Sequence, residues 1–600
     1  MTTDTKPTAE SMSKQAQRAE WLKQNRTRVS VIAGLVFLLL AALAGLEPDD
    51  RFATVMQGLS VGALTFLVAS GLSLIFGLMD VLNLAHGEIF MLGAYVGWTI
   101  YTRFDTAVDV AVPLLLVTAP FALLPLWRRL ADRVRRLDVM WHGGLWIVGL
   151  AVAYVSWLLL FARSRDDGPD SGASGFVLTV VTLVFAAALA AVVWRLRHHR
   201  STSEGVVGEM KLTAWSFLIV GLGATVTAVT KFPLVIWNAE DFAKSPSNFS
   251  VQIDLGTLAP LPPDTFSWPA LLAFAVLLVG GALIALGLSC FRTHSGELTD
   301  ATTRHWAAFA AMVVAALLLH LTKASINEWV FGLSTTWRFF LAMLVATGVG
   351  AAVGAFIEVV LIRPLYDRPI YQLMITLGVG FILIELVREI WGRPEFTMAR
   401  PAAFNGTGEG CPGEGLGGFF SGCSTVDVFG SRLRVYNEGF VVLVGLLVLI
   451  GVTLLLKRTR IGMVIRAGVQ DPEMVESLGI NVRRVFTLVF AMGSALAALG
   501  GVLAAPSIGL STGMGAVFLL GAIVALAIGG LTSFPGAAAG AVLVGLLQQL
   551  IIRFGQTGIS VPFLDEPFKP SPTVVPAAAI LLMVVVLLVL PSGLFGRSER

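Results

Sequence analysis

Asn83-Leu84-Ala85-His86-Gly87-Glu88 interrupts an apolar run that extends from about Val61 to Ile100. The run is otherwise long enough to cross a bilayer, which takes about 20 apolar residues in a helix. Asp80, Asn83, His86 and Glu88 at membrane depth lose their hydration unless they find partners or line a wet cavity. Gly77 and Gly87 flank or interrupt the run, so the helix can break there. Polar groups at a broken membrane helix are where transporters tend to hold cargo.

The rest of the chain fits that setting. Hydrophobic residues make up 56% of the 600 residues and charged residues 14%, with a mean hydropathy of +0.80. Apolar runs recur near 29–46, 53–78, 80–103, 110–127, 141–162, 175–194, 212–230, 269–289, 304–322, 335–362, 370–390, 437–456, 485–510, 515–534, 536–553 and 573–592. Several are short enough to be half-helices, so the prediction is an all-α, polytopic helical membrane protein with roughly 14–16 spans. Barrel strands would alternate polar and apolar residues, and these runs do not.

The first 28 residues are polar and basic, and 29–46 reads as a retained span, not a cleavable signal. With the N-terminus inside, the segments 1–28, 128–140, 195–211, 290–304, 363–369, 457–484 and 593–600 face inward and carry most of the 42 Lys and Arg residues. The positive-inside bias then places both termini in the cytoplasm and the protein in the plasma (inner) membrane. The net charge of +3 comes with no nucleic-acid patch. Arg128, Arg129, Arg133, Arg135 and Arg136 fit anchors facing anionic membrane lipid. His198-His199 lacks a nearby carboxylate set, so no metal site is expected.

Three blocks follow: 29–104 ending in the polar break, 105–330 with about six further spans, and 331–600 with long Gly- and Ala-rich spans. Cys411 and Cys423 lie in a Gly-rich loop, 392–436, on the outward side of this topology. A disulfide suits that oxidising face, and two free thiols are the alternative. Cys290 is small and apolar at an inner membrane edge. Glu358, Glu385, Arg388 and Glu389 fall near span ends, Glu385 at a spacing that places it beside Arg388 or Glu389 on one helical face. Gly529, Gly530, Pro535 and Gly536 suit close helix packing and a turn.

The inward segment 457–484 carries a different signal. Asp471 and Pro472 fit an N-cap and first helical position, and Gly479 fits a C-terminal stop. The result is a short amphipathic helix with Met474, Val475 and Leu478 on one face and Glu473 and Glu476 on another. Such a helix can lie in a groove on a soluble partner or rest on the membrane surface.

Here the residues resemble a known pattern. Glu473 to Gly479 keeps the Glu and Gly spacing of the coupling loop of importer permeases of the ATP-binding-cassette class. Met474 and Val475 replace its two alanines, and the Leu-Pro that often follows is missing. Gly71-Leu72-Ser73-Leu74-Ile75-Phe76-Gly77 followed by Asn83–Glu88 resembles the segment typical of branched-chain amino acid permeases. Arg363-Pro364-Leu365 with Ile375-Thr376-Leu377-Gly378 resembles a second block, and Arg458-Thr459-Arg460-Ile461-Gly462 leading to Leu478-Gly479-Ile480-Asn481 resembles the coupling loop. Gly529-Gly530-Leu531-Thr532-Ser533-Phe534-Pro535-Gly536 resembles the family's late Gly-Pro turn. These four blocks stand in the family's order and cover 29–104 and 331–592. Members of that family are much shorter, so 105–330 reads as an insertion.

The resemblance implies a transport subunit of an ATP-driven importer of branched-chain or other small amino acids, with a second permease subunit, two ATP-binding subunits and an extracytoplasmic substrate-binding protein. The chain has no Gly-Lys pair and hence no phosphate-cradling loop of the Gly-x-x-x-x-Gly-Lys-Ser/Thr type, so ATP would be bound by partner subunits and no cofactor by this one. No catalytic constellation stands out, which argues against an enzyme. On this reading Asn83, His86, Gly87 and Glu88 form the pathway or gate, and Arg460, Gly462, Asp471, Glu473 and Gly479 the coupling site. A urea or short-amide importer of the same type, and an ion-coupled secondary transporter, are the alternatives.

Overall fold

The computed structural model describes residues 26–135, 147, 151, 203–231, 270–291, 302–366, 368–391, 395, 397–408, 410–470, 472–531, 533–559 and 566–596. The spans expected near 141–162 and 175–194 lie almost wholly outside these residues. Among the described residues, 11 helices are long and apolar enough to cross a membrane, and Thr213–Val226 and Met514–Gly529 are shorter apolar helices. The protein is an all-α, multi-pass membrane protein.

In chain order the helices begin with α1 (Arg26–Ala44), α2 (Pro48–Met79), α3 (His86–Thr102), α4 (Phe104–Thr118), α5 (Leu124–Arg135) and α6 (Ser203–Lys231). They continue with α7 (Ala270–Phe291), α8 (Thr303–Gly332), α9 (Thr335–Ile357), α10 (Pro369–Trp391), α11 (Val442–Arg458) and α12 (Arg460–Gln470). The last are α13 (Pro472–Ser477), α14 (Val482–Ile508), α15 (Met514–Gly529), α16 (Phe534–Thr557) and α17 (Val575–Val589). The run expected as a span at 80–103 is helical only from His86, and α3 is 17 residues long.

The chain divides into two compact units, Met1–Thr102 with Ala239–Leu258 and Leu333–Arg600, and Arg103–Asn238 with Ala259–Gly332. In the second, α7 packs along α6 and α4 along α8. Val112, Leu116, Phe274 and Leu277 form its apolar centre.

In the first unit, α14 lies against α2, α3 and α9, while α16 packs along α2 and α15 along α2, α3 and α16. The buried side of α14 is Gly493, Ser494, Ala497, Ala498, Gly500 and Gly501. Such small residues let membrane helices approach backbone to backbone, where packing and not hydrophobicity drives association. Local chemistry fixes the ends. Pro48 with Asp49 and Asp50 opens α2, as the missing N–H of proline and the helix dipole favour. The Asn481 side chain caps α14 by accepting from the Arg484 N–H at 3.2 Å.

A small sheet stands in the loop before α11, a feature absent from the sequence reading. Strands β1 (Gly413–Glu414), β2 (Thr425–Val428) and β3 (Ser431–Arg434) run in the order β1-β2-β3, β1 parallel and β3 antiparallel to β2. Val426, Val428 and Leu433 pack against Phe52 and Met56 of α2. Ser431 also bonds the Asp49 carbonyl, and Arg553 near the end of α16 pairs with Asp50. The sheet, the start of α2 and the end of α16 therefore share one end of this unit.

Candidate functional site

The break is re-entrant. Helix α2 ends at Met79, and Asp80 takes a left-handed conformation (φ +54°) with its N–H on the Phe76 carbonyl at 2.9 Å. From there the chain doubles back, and the His86 Nε2 donates to the Val68 carbonyl at 3.1 Å. Val68 lies about 16 Å up α2 from Met79 at the helical rise of 1.5 Å per residue. The six residues between the helices could cover at most about 20 Å if fully extended, which bounds the distance they must return. Val81, Asn83 and Ala85 are buried while Leu82 and Leu84 are half-buried, and Leu84 and Ala85 form a turn into α3. Gly77 still belongs to α2 and Gly87 already to α3. The break therefore falls between the two glycines and is turned by Asp80, one of the few residue types that visits this conformation readily.

Bonds brace the segment. The Asn83 Oδ1 accepts from the Ala85 N–H at 3.1 Å, and the Asn83 carbonyl from the His86 N–H at 3.3 Å. The Leu84 N–H donates to the Thr376 Oγ1 of α10 at 3.3 Å, so the first and second sequence blocks meet here. What remains is as informative. Asn83 and His86 are fully buried and Glu88 is 6% exposed, yet Asn83 Nδ2, His86 Nδ1 and Glu88 Oε2 have no hydrogen-bond partner. A buried polar atom left alone costs about 1–3 kcal/mol. Three in one short stretch make this a candidate site.

Close approaches set its walls. A Cβ on Gly71 would strike the Gly493 carbonyl of α14 and come within 2.9 Å of the His86 ring, so only glycine admits both neighbours. A Cβ on Gly87 would likewise strike the Gly515 carbonyl, which brings the first turns of α3 and α15 together. Phe90 and Phe518 stack beside that contact with centroids 4.5 Å apart. Glu88 thus sits in the first turn of α3 and beside Gly515 at the start of α15. The positive ends of two helix dipoles favour a carboxylate at that point.

The inward segment 457–484 holds two short helices, α12 and α13. The Thr459 Oγ1 accepts from the Gly462 N–H at 3.1 Å, and Arg460 opens α12 with its side chain exposed. Gly479 has φ +81° and ends α13, a conformation glycine adopts without strain. Glu473 lies within α13, and Asp471 lies outside the described residues. The apolar face differs from the one expected: Val475 is buried, whereas Met474 and Leu478 are 62% and 70% exposed. Val475 anchors α13 inward and the other two present apolar surface.

Beside this segment lies a cluster that the sequence reading did not assemble. Glu358 is fully buried on a π-helical turn, Glu358–Ile362, that extends α9. Its Oε1 accepts from the Arg363 Nε at 3.2 Å and the Tyr366 hydroxyl at 2.6 Å. Its Oε2 accepts from the Arg363 Nη2 at 2.9 Å and the Thr487 hydroxyl of α14 at 2.7 Å. Burial, and then the Glu358 carboxylate, push the Tyr366 phenol well above its ordinary pKa. Glu358 and Arg363 stand five apart, and the π turn brings i and i+5 together.

The late turn joins α15 and α16. Gly529 abuts Gly536, and Pro535 lies in the first turn of α16, where the Ser533 Oγ accepts from the Gly536 N–H at 3.1 Å. Gly530 follows α15 with φ +110°, and the Leu594 and Phe595 N–H groups bond the Ile528 and Gly529 carbonyls at 2.9 and 3.0 Å. Away from these sites, Cys411 and Cys423 form a disulfide, Cα atoms 5.6 Å apart, that closes the loop holding β1. Among the described residues no group of three or more His, Cys, Asp or Glu side chains could hold a metal ion.

Comparison with known proteins agrees with this architecture. The family described as the permease component of the branched-chain amino acid transport system matches residues 54–202 and 304–591. The high-affinity branched-chain amino acid permease LivH of Salmonella typhimurium is 28% identical over 297 residues, covering 48% of this chain and 81% of the relative. BraD of Pseudomonas aeruginosa, a permease of the same description, is 33% identical over 165 residues, 27% of this chain and 49% of its own. The galactose/methyl galactoside import permease MglC of Escherichia coli is 28% identical over 282 residues, 46% and 76% respectively. No solved structure matches. With more than half of its length matched, the chain belongs to the branched-chain amino acid permease family of ATP-binding-cassette transporters.

Proposed function

We propose that this chain is one permease subunit of an ATP-driven importer of branched-chain or other small amino acids. It pairs with a second permease and two ATP-binding subunits, and receives cargo from an extracytoplasmic binding protein. The observation that carries the reading is the re-entrant break: Asn83, His86 and Glu88 are buried, each keeps one polar atom without a partner, and Gly87 packs on a second helix start. Non-helical backbone at membrane depth survives only inside protein or along a cavity, and broken helices line transporter paths.

Arg460, Gly462, Asp471, Glu473 and Gly479 belong to the surface that meets an ATP-binding subunit. The exposed Met474 and Leu478 support this, because an apolar helix face fits a groove on a partner. ATP is bound by the partner subunits, and no cofactor by this one. The bias of Lys and Arg supports cytoplasmic termini. The block 105–330 contains an insertion between two permease blocks; the family match leaves 203–303 uncovered, which supports extra sequence there, while 105–202 and 304–330 fall within the match.

A neutral sugar is the second reading of the cargo, supported by the similarity to a galactose/methyl galactoside permease. Uptake of radiolabelled leucine, galactose and urea by cells with and without this chain separates the cargoes. Leucine uptake is expected to require the chain and to stop when ATP is depleted with the ion gradients held. Uptake that persists under those conditions would show ion coupling and overturn the importer reading.

A further inference from the structure

The helix α14 leaves the coupling segment at Val482 and passes the Glu358 cluster within its first two turns. Thr487 is its contact there: the hydroxyl donates to the Glu358 Oε2 and accepts from the Arg363 Nη2 at 2.7 Å. The Tyr366 ring and Phe486 of α14 meet at right angles, centroids 5.8 Å apart. Six residues beyond Thr487, or about 9 Å along the axis, Gly493 meets Gly71 of α2, and the His86 ring lies against that same glycine. Higher still, Gly350 and Gly354 of α9 pack directly on Ala498 and Ser494 of α14. The same two helices are thus tied near the coupling segment by a buried carboxylate and packed together beside the polar break.

We propose that Glu358, Arg363 and Thr487 form a tie that makes the end of α9 and the start of α14 move as one body, so that displacement of the coupling segment reaches the break at Asn83–Glu88. The proposal rests on the importer reading, since the displacement comes from an ATP-binding partner. Its physical basis is the saturation of Glu358. Arg363 bonds both carboxylate oxygens, Tyr366 adds a second bond to one and Thr487 of α14 a second to the other, and a buried charge that loses a partner is strongly penalised. Sliding α14 past α9 would strip the Thr487 hydrogen bond from that carboxylate with no water to replace it. Moving the pair together keeps it. These are positioning residues, and none of them need touch cargo.

The test uses the full chain in proteoliposomes with the ATPase that co-purifies with it, in a Cys290→Ser background. A Leu84→Cys probe on the re-entrant segment is labelled with a maleimide, with and without ATP and vanadate. With the tie intact, ATP is expected to change the labelling rate by about fivefold or more, the low end of ordinary coupling between sites. Thr487→Val keeps the Glu358–Arg363 pair and the side-chain shape. It is expected to leave ATP hydrolysis running while the change at Leu84→Cys falls below about twofold, outside that range.

A full ATP-driven change in Thr487→Val would overturn the tie. So would its restoration in the double variant Glu358→Met with Arg363→Met, which removes the charges together and repairs a merely structural defect but not a transmitting one. An intact chain in which ATP alters nothing at Leu84→Cys overturns the importer reading instead, and the tie with it. Co-purification of the ATPase with each variant shows that the complex has formed.

Discussion

Glu88 and Glu358 are both buried carboxylates in the same compact unit, and they are treated in opposite ways. Glu358 has its two oxygens bonded by Arg363, Tyr366 and Thr487. Glu88 has an oxygen without a partner, beside the starts of two helices. A saturated carboxylate in a low-dielectric interior is a fixed joint, since any movement that breaks it exposes a charge without solvent. An under-bonded one holds interaction capacity in reserve. The difference separates a carboxylate that fixes the geometry of its neighbours from one that keeps bonding capacity in hand.

The largest expected effect comes from making the two alike. Arg363→Ala strips Glu358 of its counter-charge while leaving the carboxylate buried, and should lower stability by about 3–5 kcal/mol. Chemical denaturation of the purified chain in detergent measures this. A loss under about 1 kcal/mol, the range of exposed pairs, would mean that Glu358 is not held as a buried charge and would remove one side of the contrast.

A smaller effect is expected at the wall between the two regions. Gly71→Ala places a methyl group between the Gly493 carbonyl and the His86 ring. Overpacking of this kind costs about 1–3 kcal/mol. Gly378→Ala is the control, because nothing lies within 4 Å of its Cβ position, and it should stay within about 0.5 kcal/mol of the parent. Equal effects from the two would show that the contact at Gly71 is not tight. The break would then be free to shift.

The contrast also marks what the sequence could disclose. The polar break was legible because its residue types are out of place in an apolar run, and the class of protein because apolar runs repeat along the chain. The direction of the break was not. That α3 restarts beside Val68 depends on a long-range bond from His86, and no local pattern encodes it. The Glu358 cluster stayed hidden for a related reason. Glu358 and Arg363 stand five apart, off the spacing at which α-helical side chains meet, and only the π turn at Glu358–Ile362 aligns them. The partner Thr487 is distant in sequence and of an ordinary type. The β1-β2-β3 sheet was missed because its strands are 2 to 4 residues long, too short for a period to register.

Glu88→Gln sharpens the other side of the comparison. The change keeps the shape and removes a charge that is short of partners, so stability should move by no more than about 1 kcal/mol in either direction. Leucine uptake should fall by roughly tenfold, equivalent to about 1.4 kcal/mol. Stability and transport thus separate at Glu88, whereas at Arg363 the stability itself falls. Normal uptake and normal coupling to ATP hydrolysis in Glu88→Gln would remove the break from the transport path.

The smallest effect is expected where pairing occurs without burial. Asp427 and Arg432 face each other across β2 and β3, 3.5 Å apart, with side chains 44% and 67% exposed. The pair has opposite charges like Glu358 and Arg363, but water screens it and both side chains give up freedom to form it. Asp427→Asn should change the denaturation free energy by at most about 0.5 kcal/mol. Raising the salt should erase even that difference, because screening at 1 M acts within about 3 Å. A loss comparable to that of Arg363→Ala would mean that charge pairing alone stabilises the chain, and that burial does not distinguish Glu358 from the surface. With the small effect, the weight falls on burial and saturation together, the two properties that Glu358 combines and that Glu88 has only in part.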